Sequence, residues 1–301
     1  MAPHFARCTV RCRARKGRAT TIHRLDRLEN CPIDTAQEEA EHAALSPRSG
    51  VCILFGAMKV IAPCQKCTIP PGAGVMMTGE LDNDLLAICS CPNGHLYLVH
   101  QAHSAPEVIY SAGARAFLAG FYSESVVTLT AALERGYELF VKVFLLARGG
   151  ESPDIEAFWK ELRNSSERQL GAFCVTYYFA SGSPWTPNPK QAEFRNKVAH
   201  KGYIATREEA HKYGEYVTSS LNAIMSHIKT HYRDEFHKHL ESGRAAIYRK
   251  AGEMKSRDSS LELCFAGSSA LEWNNSGHQQ PTFEDLLKTT SMYIEQFSDG
   301  T

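Results

Sequence analysis

"GARAFLAGFYSESVVTLTAALERGYELFVKVFLLAR", residues 113–148, decides the fold. Phe117, Phe121, Leu129, Leu133, Tyr137, Phe140 and Phe144 recur at steps of three or four, or twice four across Ser125, which marks one apolar face of a long helix. "RGG" at 148–150 ends it. Pro153 then opens a second helix through "DIEAFWKELRNSSERQLGAFCVTYYFA", expected to stop near Gly182. After the loop "SGSPWTPNP" a shorter helix begins near Pro189 and runs to about His200, with Gly202 as its left-handed cap. Thr206 and Glu209 form a T-x-x-E capping box for a fourth helix. Its apolar positions, Ala210, Tyr213, Val217, Leu221, Ile224, Ile228 and Tyr232, carry it to roughly residue 240. Four helices with short connections predict a mainly α protein, an antiparallel four-helix bundle over residues 110–242. Residues 243–301 read as an appendage, one strand from "LELCFAG" and a terminal helix from "TFEDLLKTTSMYIEQF" that packs back on the bundle.

Ahead of the bundle, residues 58–105 have a different texture. "GVMMTG", "LLAICS" and "HLYLVHQ" are short β-type runs separated by "PPGAG" and "PNG" turn signals, so a small antiparallel sheet is expected. A unit of this size buries too little surface to stand alone and needs a staple. Cys64 and Cys67 form a C-x2-C knuckle, and Cys89, Cys91 and His95 follow within "CSCPNGH". Thiolates and imidazole at this spacing suit tetrahedral zinc, and the stretch resembles a zinc ribbon. The usual ribbon would place a cysteine where Gly94 stands, so the expected ligands are Cys64, Cys67, Cys91 and His95, with Cys89 the alternate. Four protein ligands leave no position for water, which makes the expected zinc structural.

The remaining bounds are broad. Residues 1–25 carry seven Arg or Lys and no acid, a bias compatible with a transit peptide. "MKVIAPCQKC" from Met58 nevertheless reads as the opening of a small domain. Residues 1–57 are therefore taken as an upstream extension expected not to pack. Over the whole chain Lys plus Arg and Asp plus Glu both count 33, so no global field draws the protein to nucleic acid. Apolar runs such as "LFVKVFLLA" at 139–147 are too short to cross a bilayer. Clustered rather than scaffold-like cysteines point to a reducing, cytoplasmic setting. Only Lys59 and Lys66 lie in residues 58–105, which disfavours DNA binding by that module.

The third helix carries the candidate chemistry, in "FRNKVAHKG" at 194–202. At about 100° per residue Asn196 and His200 share a face, while Arg195 and His200 stand roughly 140° apart. His200 lies among the last-turn carbonyls, where the helix dipole favours imidazolium and a proton can be exchanged near neutral pH. Arg195 is fork-shaped and always charged, suited to holding a phosphate. Such a set fits metal-free attack of an RNA 2′-hydroxyl on the adjacent phosphate, although Lys and His before Gly also form an ordinary helix C-terminus. Glu134 and Glu138 are candidate orienting carboxylates, although "ALERGYE" reads more commonly as helix surface with intrahelical pairing. The histidines at 227, 231, 237 and 239 include an i, i+4 pair, but no second-helix companion is evident, and a solvated face is the expectation.

Arg, a polar residue and a following His on a short helix before a capped one resembles the HEPN family, over roughly residues 113–240. The resemblance implies a metal-independent endoribonuclease of toxin–antitoxin or antiviral defence type, with Arg195, Asn196 and His200 as its catalytic motif and no catalytic cofactor. It also implies a homodimer that brings two motifs into one cleft, RNA as substrate, and an antitoxin or other protein partner. Within the same family the alternative is a non-catalytic interaction or scaffold module carrying a structural zinc ribbon.

Overall fold

Residues 113–148 form two helices rather than one. The computed structural model describes residues 59–67, 74–82, 84–101, 103–266 and 280–298, and the extension expected at 1–57 lies outside them. The elements run β1 (Lys59–Pro63), β2 (Met76–Glu80), β3 (Leu86–Ser90), β4 (Leu96–Gln101), α1 (Ala105–Leu118), α2 (Tyr122–Ala147) and α3 (Ser152–Leu162). They continue α4 (Ser166–Ser181), α5 (Pro189–Lys201), α6 (Arg207–His231), α7 (Arg233–Arg257), β5 (Glu262–Ala266) and α8 (Phe283–Ser298). The protein is mainly helical with a small sheet, but the described residues hold eight helices where five were expected, four in the bundle and one terminal.

Each of the three long helices is divided, for a local reason that can be named in two cases. α1 starts early because Ser104 and Glu107 make a reciprocal capping box. It stops at Ala119, after which Gly120 takes φ +84°, a backbone state that glycine adopts at little cost. The second expected helix breaks at Arg163–Ser165, where the Ser165 hydroxyl accepts the Arg168 N–H at 3.4 Å and caps α4. The fourth ends at His231, and Tyr232, at φ −139°, turns the chain into α7. No glycine or proline marks that turn.

α2 is the central helix. Its C-terminal half is buried almost all round, from Leu139 through Phe144, as a helix wrapped by others must be. α1 packs along it, and the Ser125 hydroxyl donates to the Gly113 carbonyl at 2.9 Å between the two. α6 lies against it through Val217, Leu221 and Ile224, all fully buried. Tyr137 and Phe140 meet Phe173 of α4 with ring centroids 4.4 and 5.3 Å apart.

The sheet has the order β1-β2-β3-β4-β5, antiparallel until the last pair. β5, from the C-terminal segment, adds parallel to β4 with Val99 opposite Cys264. One face buries Val60, Met77, Cys89, Tyr97 and Val99. On the other, Leu86 and Leu98 receive Ala251 and Ile247 of α7.

α8 docks through Phe283, which is fully buried against Phe117, Tyr110 and His211. Gly214 of α6 lies directly beneath that ring, and a Cβ there would enter its van der Waals surface. Gly214→Val is expected to cost about 1–3 kcal/mol. The loss should appear in denaturant melts together with faster amide exchange across α8.

Candidate functional site

Two clusters foreseen in the sequence lie on different elements. The first joins the β1–β2 and β3–β4 turns. Cys64 and Cys67 sit after β1, where the Cys67 N–H donates to the Cys64 carbonyl at 3.2 Å and closes a knuckle. Cys91 and His95 flank the second turn, in which the Gly94 N–H donates to the Cys91 carbonyl at 2.9 Å. His95 Nδ1 lies 3.2 Å from Cys67 Sγ, 3.5 Å from Cys91 Sγ and 3.6 Å from Cys64 Sγ. Cys67 and Cys91 sulfurs are 3.9 Å apart. A tetrahedron with metal–sulfur bonds near 2.3 Å and metal–nitrogen bonds near 2.05 Å has edges of about 3.8 and 3.5 Å. The four donors fit that figure and could hold a metal ion.

Electrostatics favour the thiolate at Cys64 and Cys91, whereas at Cys67 the Asn93 amide is outweighed by burial and the two neighbouring thiols, which hold it above its ordinary value. Burial opposes ionisation of Cys64, but the N–H groups of Cys67 and Lys66 and neighbouring thiols hold it below its ordinary value. Burial likewise opposes Cys91, and the N–H groups of His95 and Asn93 outweigh it. The Asn93 amide donates to Cys67 Sγ at 3.2 Å. Cys89, the alternate, lies outside the cluster. It faces the sheet core, where burial pushes its thiol up to about 11, as befits a neutral packing residue. Gly94 occupies the tight turn and leaves the ligand position to His95 one residue later.

The second cluster is on α5. Asn188 caps this helix by accepting from Lys190 and Gln191 N–H groups at 3.0 and 3.4 Å, and Gly202 closes it at φ +67°. Val198 and Phe194 anchor it, the Phe194 ring 5.9 Å from Tyr213. Arg195 is half-buried and lines a small cavity of about 80 Å³ with Glu134, Glu167, Tyr213 and Tyr216. Asn196 and His200 are exposed. The side chains of Arg195, Asn196 and His200 form no hydrogen bond or ion pair with any described residue. Arg195 and His200 are thus brought to one region without touching.

Glu167, in the first turn of α4, escaped sequence reasoning. Its carboxyl is held below the usual range by its own N–H and the Ser165 hydroxyl, with Arg195 and His200 adding attraction. The Ser-x-Glu start of α4 was the available signal. Burial raises Tyr213 to about 12 against the pull of Thr130 and Arg195. Of the two carboxylates considered earlier, Glu134 shares the Arg195 cavity. Glu138 instead pairs with Arg135 and with Lys142 at 2.7 Å, away from α5. Lys197 is partly compensated by Glu193 at 3.0 Å.

The expected solvated histidine face is only half correct. His231 and His237 are exposed, but His227 packs among Phe140, Tyr177 and Tyr232, with centroids 5.4–5.8 Å away. Burial, then His231, lowers its pKa from the ordinary 6.5. His100 and His239 are lowered chiefly by burial as well. Groups depressed in this way stay neutral in the folded chain while the unfolded chain takes up protons below about pH 6.5. Stability should therefore fall as pH drops from 7 to 5, and thermal melts of His227→Phe should show a smaller fall.

Among the described residues no helix is long and apolar enough to cross a membrane. No disulfide joins the described cysteines. No protein family, curated protein or solved structure matches the chain.

Proposed function

We propose that the protein is a HEPN-type, metal-independent endoribonuclease whose reaction centre is Arg195, Asn196 and His200. The observation that carries this reading is an unpaired, half-buried guanidinium beside an exposed, unpaired imidazole on one capped helix. Arg195 binds the scissile phosphate and offsets charge as it builds on the oxygens. His200 takes the proton from the 2′-hydroxyl or delivers one to the leaving 5′-oxygen. Asn196 orients the sugar or phosphate, and Glu167 restrains the two cations. Lys190 and Lys201 extend the positive surface for the RNA backbone.

A second copy of the chain completes the cleft. Glu167, Gly171, Val175 and Phe179 follow one another at i, i+4 along α4, and Val175, Tyr178 and Phe179 are 59%, 52% and 69% exposed. The exposed apolar patch of Val175, Tyr178 and Phe179, on the helix whose first turn carries Glu167, supports a two-fold interface. In the same reading the Cys64, Cys67, Cys91 and His95 set holds a structural zinc, closed to solvent ligands.

The test is cleavage of a labelled single-stranded RNA by purified protein in EDTA. Loss of cleavage in His200→Ala with unchanged melting supports the enzyme. Equal cleavage by that variant, or intact RNA with the wild-type chain, leaves the interaction-module reading in its place.

A further inference from the structure

Three thiolates and a neutral imidazole around a divalent ion carry more negative charge than positive, so buried sulfurs in such a set need hydrogen-bond donors besides the ion. The sulfurs of the Cys64, Cys67, Cys91 and His95 cluster find theirs in different places. Asn93 gives its amide to Cys67 at 3.2 Å, and Cys91 faces the N–H groups of His95 and Asn93, all within the β3–β4 turn. Cys64, just after β1, is fully buried. Besides the N–H groups of its own knuckle it meets a phenol from outside both turns, that of Tyr97 on β4.

Register puts Tyr97 there. It stands opposite Cys89 of β3 and Glu262 of β5, and it packs with Val60, Met77 and Val99 in the core that also holds Cys64 and Cys91. Tyr97 is only 1% exposed, and a hydroxyl buried so deeply needs a partner for its proton and one for its oxygen. The oxygen accepts the Lys66 N–H at 3.1 Å, which leaves the proton for the Cys64 sulfur. Burial outweighs the Lys66 N–H and, with Cys64 and Glu262, holds the phenol above its ordinary value, so the proton stays on the oxygen at neutral pH. On its outer side the same knuckle is tied to β5. Gln65 Nε2 donates to Cys264 Sγ at 3.1 Å, and the Lys66 ammonium meets Glu262 at 2.8 Å in a half-exposed pair that adds little.

We propose that Tyr97 is a positioning residue of the metal centre: its hydroxyl donates to the Cys64 thiolate and accepts the Lys66 N–H, which holds the first knuckle in ligating shape and slows loss of the ion. This role rests on the reading of the four donors as a metal site. A donor on a thiolate takes up part of its charge and makes protonation of the sulfur, a route to ligand release, less favourable. Phenylalanine at this place keeps the ring and leaves the Cys64 sulfur and the Lys66 N–H each short of a buried partner.

The experiment follows transfer of zinc from the full chain to a chromogenic chelator, together with the absorption of cobalt-substituted protein. Tyr97→Phe should weaken zinc binding by roughly 10–100-fold, the usual worth of a group that orients a ligand, with faster release. Its thiolate-to-cobalt charge-transfer band should move to longer wavelength, because the unsupported sulfur gives up an electron more readily. A ring-fluorinated tyrosine in place of Tyr97 keeps the fold and donates more strongly, so it should move the band the other way and slow release. Val99→Ala loosens the same core without touching a sulfur and should leave the band where it is. A band shift in Val99→Ala equal to that in Tyr97→Phe would reduce Tyr97 to packing and overturn the proposal. Release and band unchanged in both Tyr97 variants would overturn it too, and either result leaves the metal reading standing. A wild-type chain that takes up neither zinc nor cobalt would instead overturn the metal reading, and this role with it.

Discussion

Chelation of the Cys64, Cys67, Cys91 and His95 cluster is expected to dissolve the sheet while leaving most of the helical body folded. Structural zinc in small modules contributes about 10–16 kcal/mol of binding free energy, against about 5–15 kcal/mol for the net stability of a typical domain. Cys64 and Cys91 are nearly fully buried, and the core they join is a separate cluster from the one built on α1, α2 and α6. Without the ion, the thiolates repel one another and the two turns lose their link. Strands β1 to β4 should lose amide protection in hydrogen exchange, whereas α2 and α6 keep theirs. Cys67→Ser should act in the same direction, and Cys89→Ser should retain full metal content in elemental analysis. A sheet that remains protected after complete metal removal would refute the stapling role.

His200→Ala should lower RNA cleavage by about 10²–10⁴-fold, the usual worth of a positioned acid or base. Its ring is exposed and unpaired, so the substitution removes little packing and the melting temperature should stay within about a degree or two of wild type. Arg195→Lys is the sharper companion, because it keeps the charge and discards the planar fork. It should lose much of the rate as well, with the larger change in kcat if the fork acts on charge that develops during the reaction. Activity recovered by mixing His200→Ala with Arg195→Ala chains would place the two groups from different chains in one cleft. Glu167→Gln should shift the pH–rate profile, since it removes a negative charge that attracts both groups.

The parts of this structure that were legible in the sequence are those set by neighbours in the chain. Asn188 before Pro189, Gly202, and Thr206 with Glu209 each define a helix end through contacts within a few residues, and α5 and the start of α6 follow them. The metal donors were legible for the same reason, since each pair spans one tight turn. Tyr232 shows the limit. It divides α6 from α7 without a breaker residue, and its ring packs against Phe144 of α2, an element distant in sequence. β1 was missed because its pairing with β2, not its own pattern, makes it a strand. Glu138 makes the intrahelical pairs that "ALERGYE" also suggested, since helical periodicity places a residue on a face but does not say which neighbour covers it.

β5 gives the sheet an unusual order of completion during synthesis. The four candidate metal donors leave the ribosome early, yet Gln65 beside them waits for Cys264, a partner 199 residues further along. Until Glu262–Ala266 arrives, β4 presents an open edge capable of pairing with any other strand. A nascent or truncated chain ending before Glu262 should therefore bind metal and still self-associate. Once Glu262–Ala266 has paired, that edge of β4 is closed by a strand of its own chain.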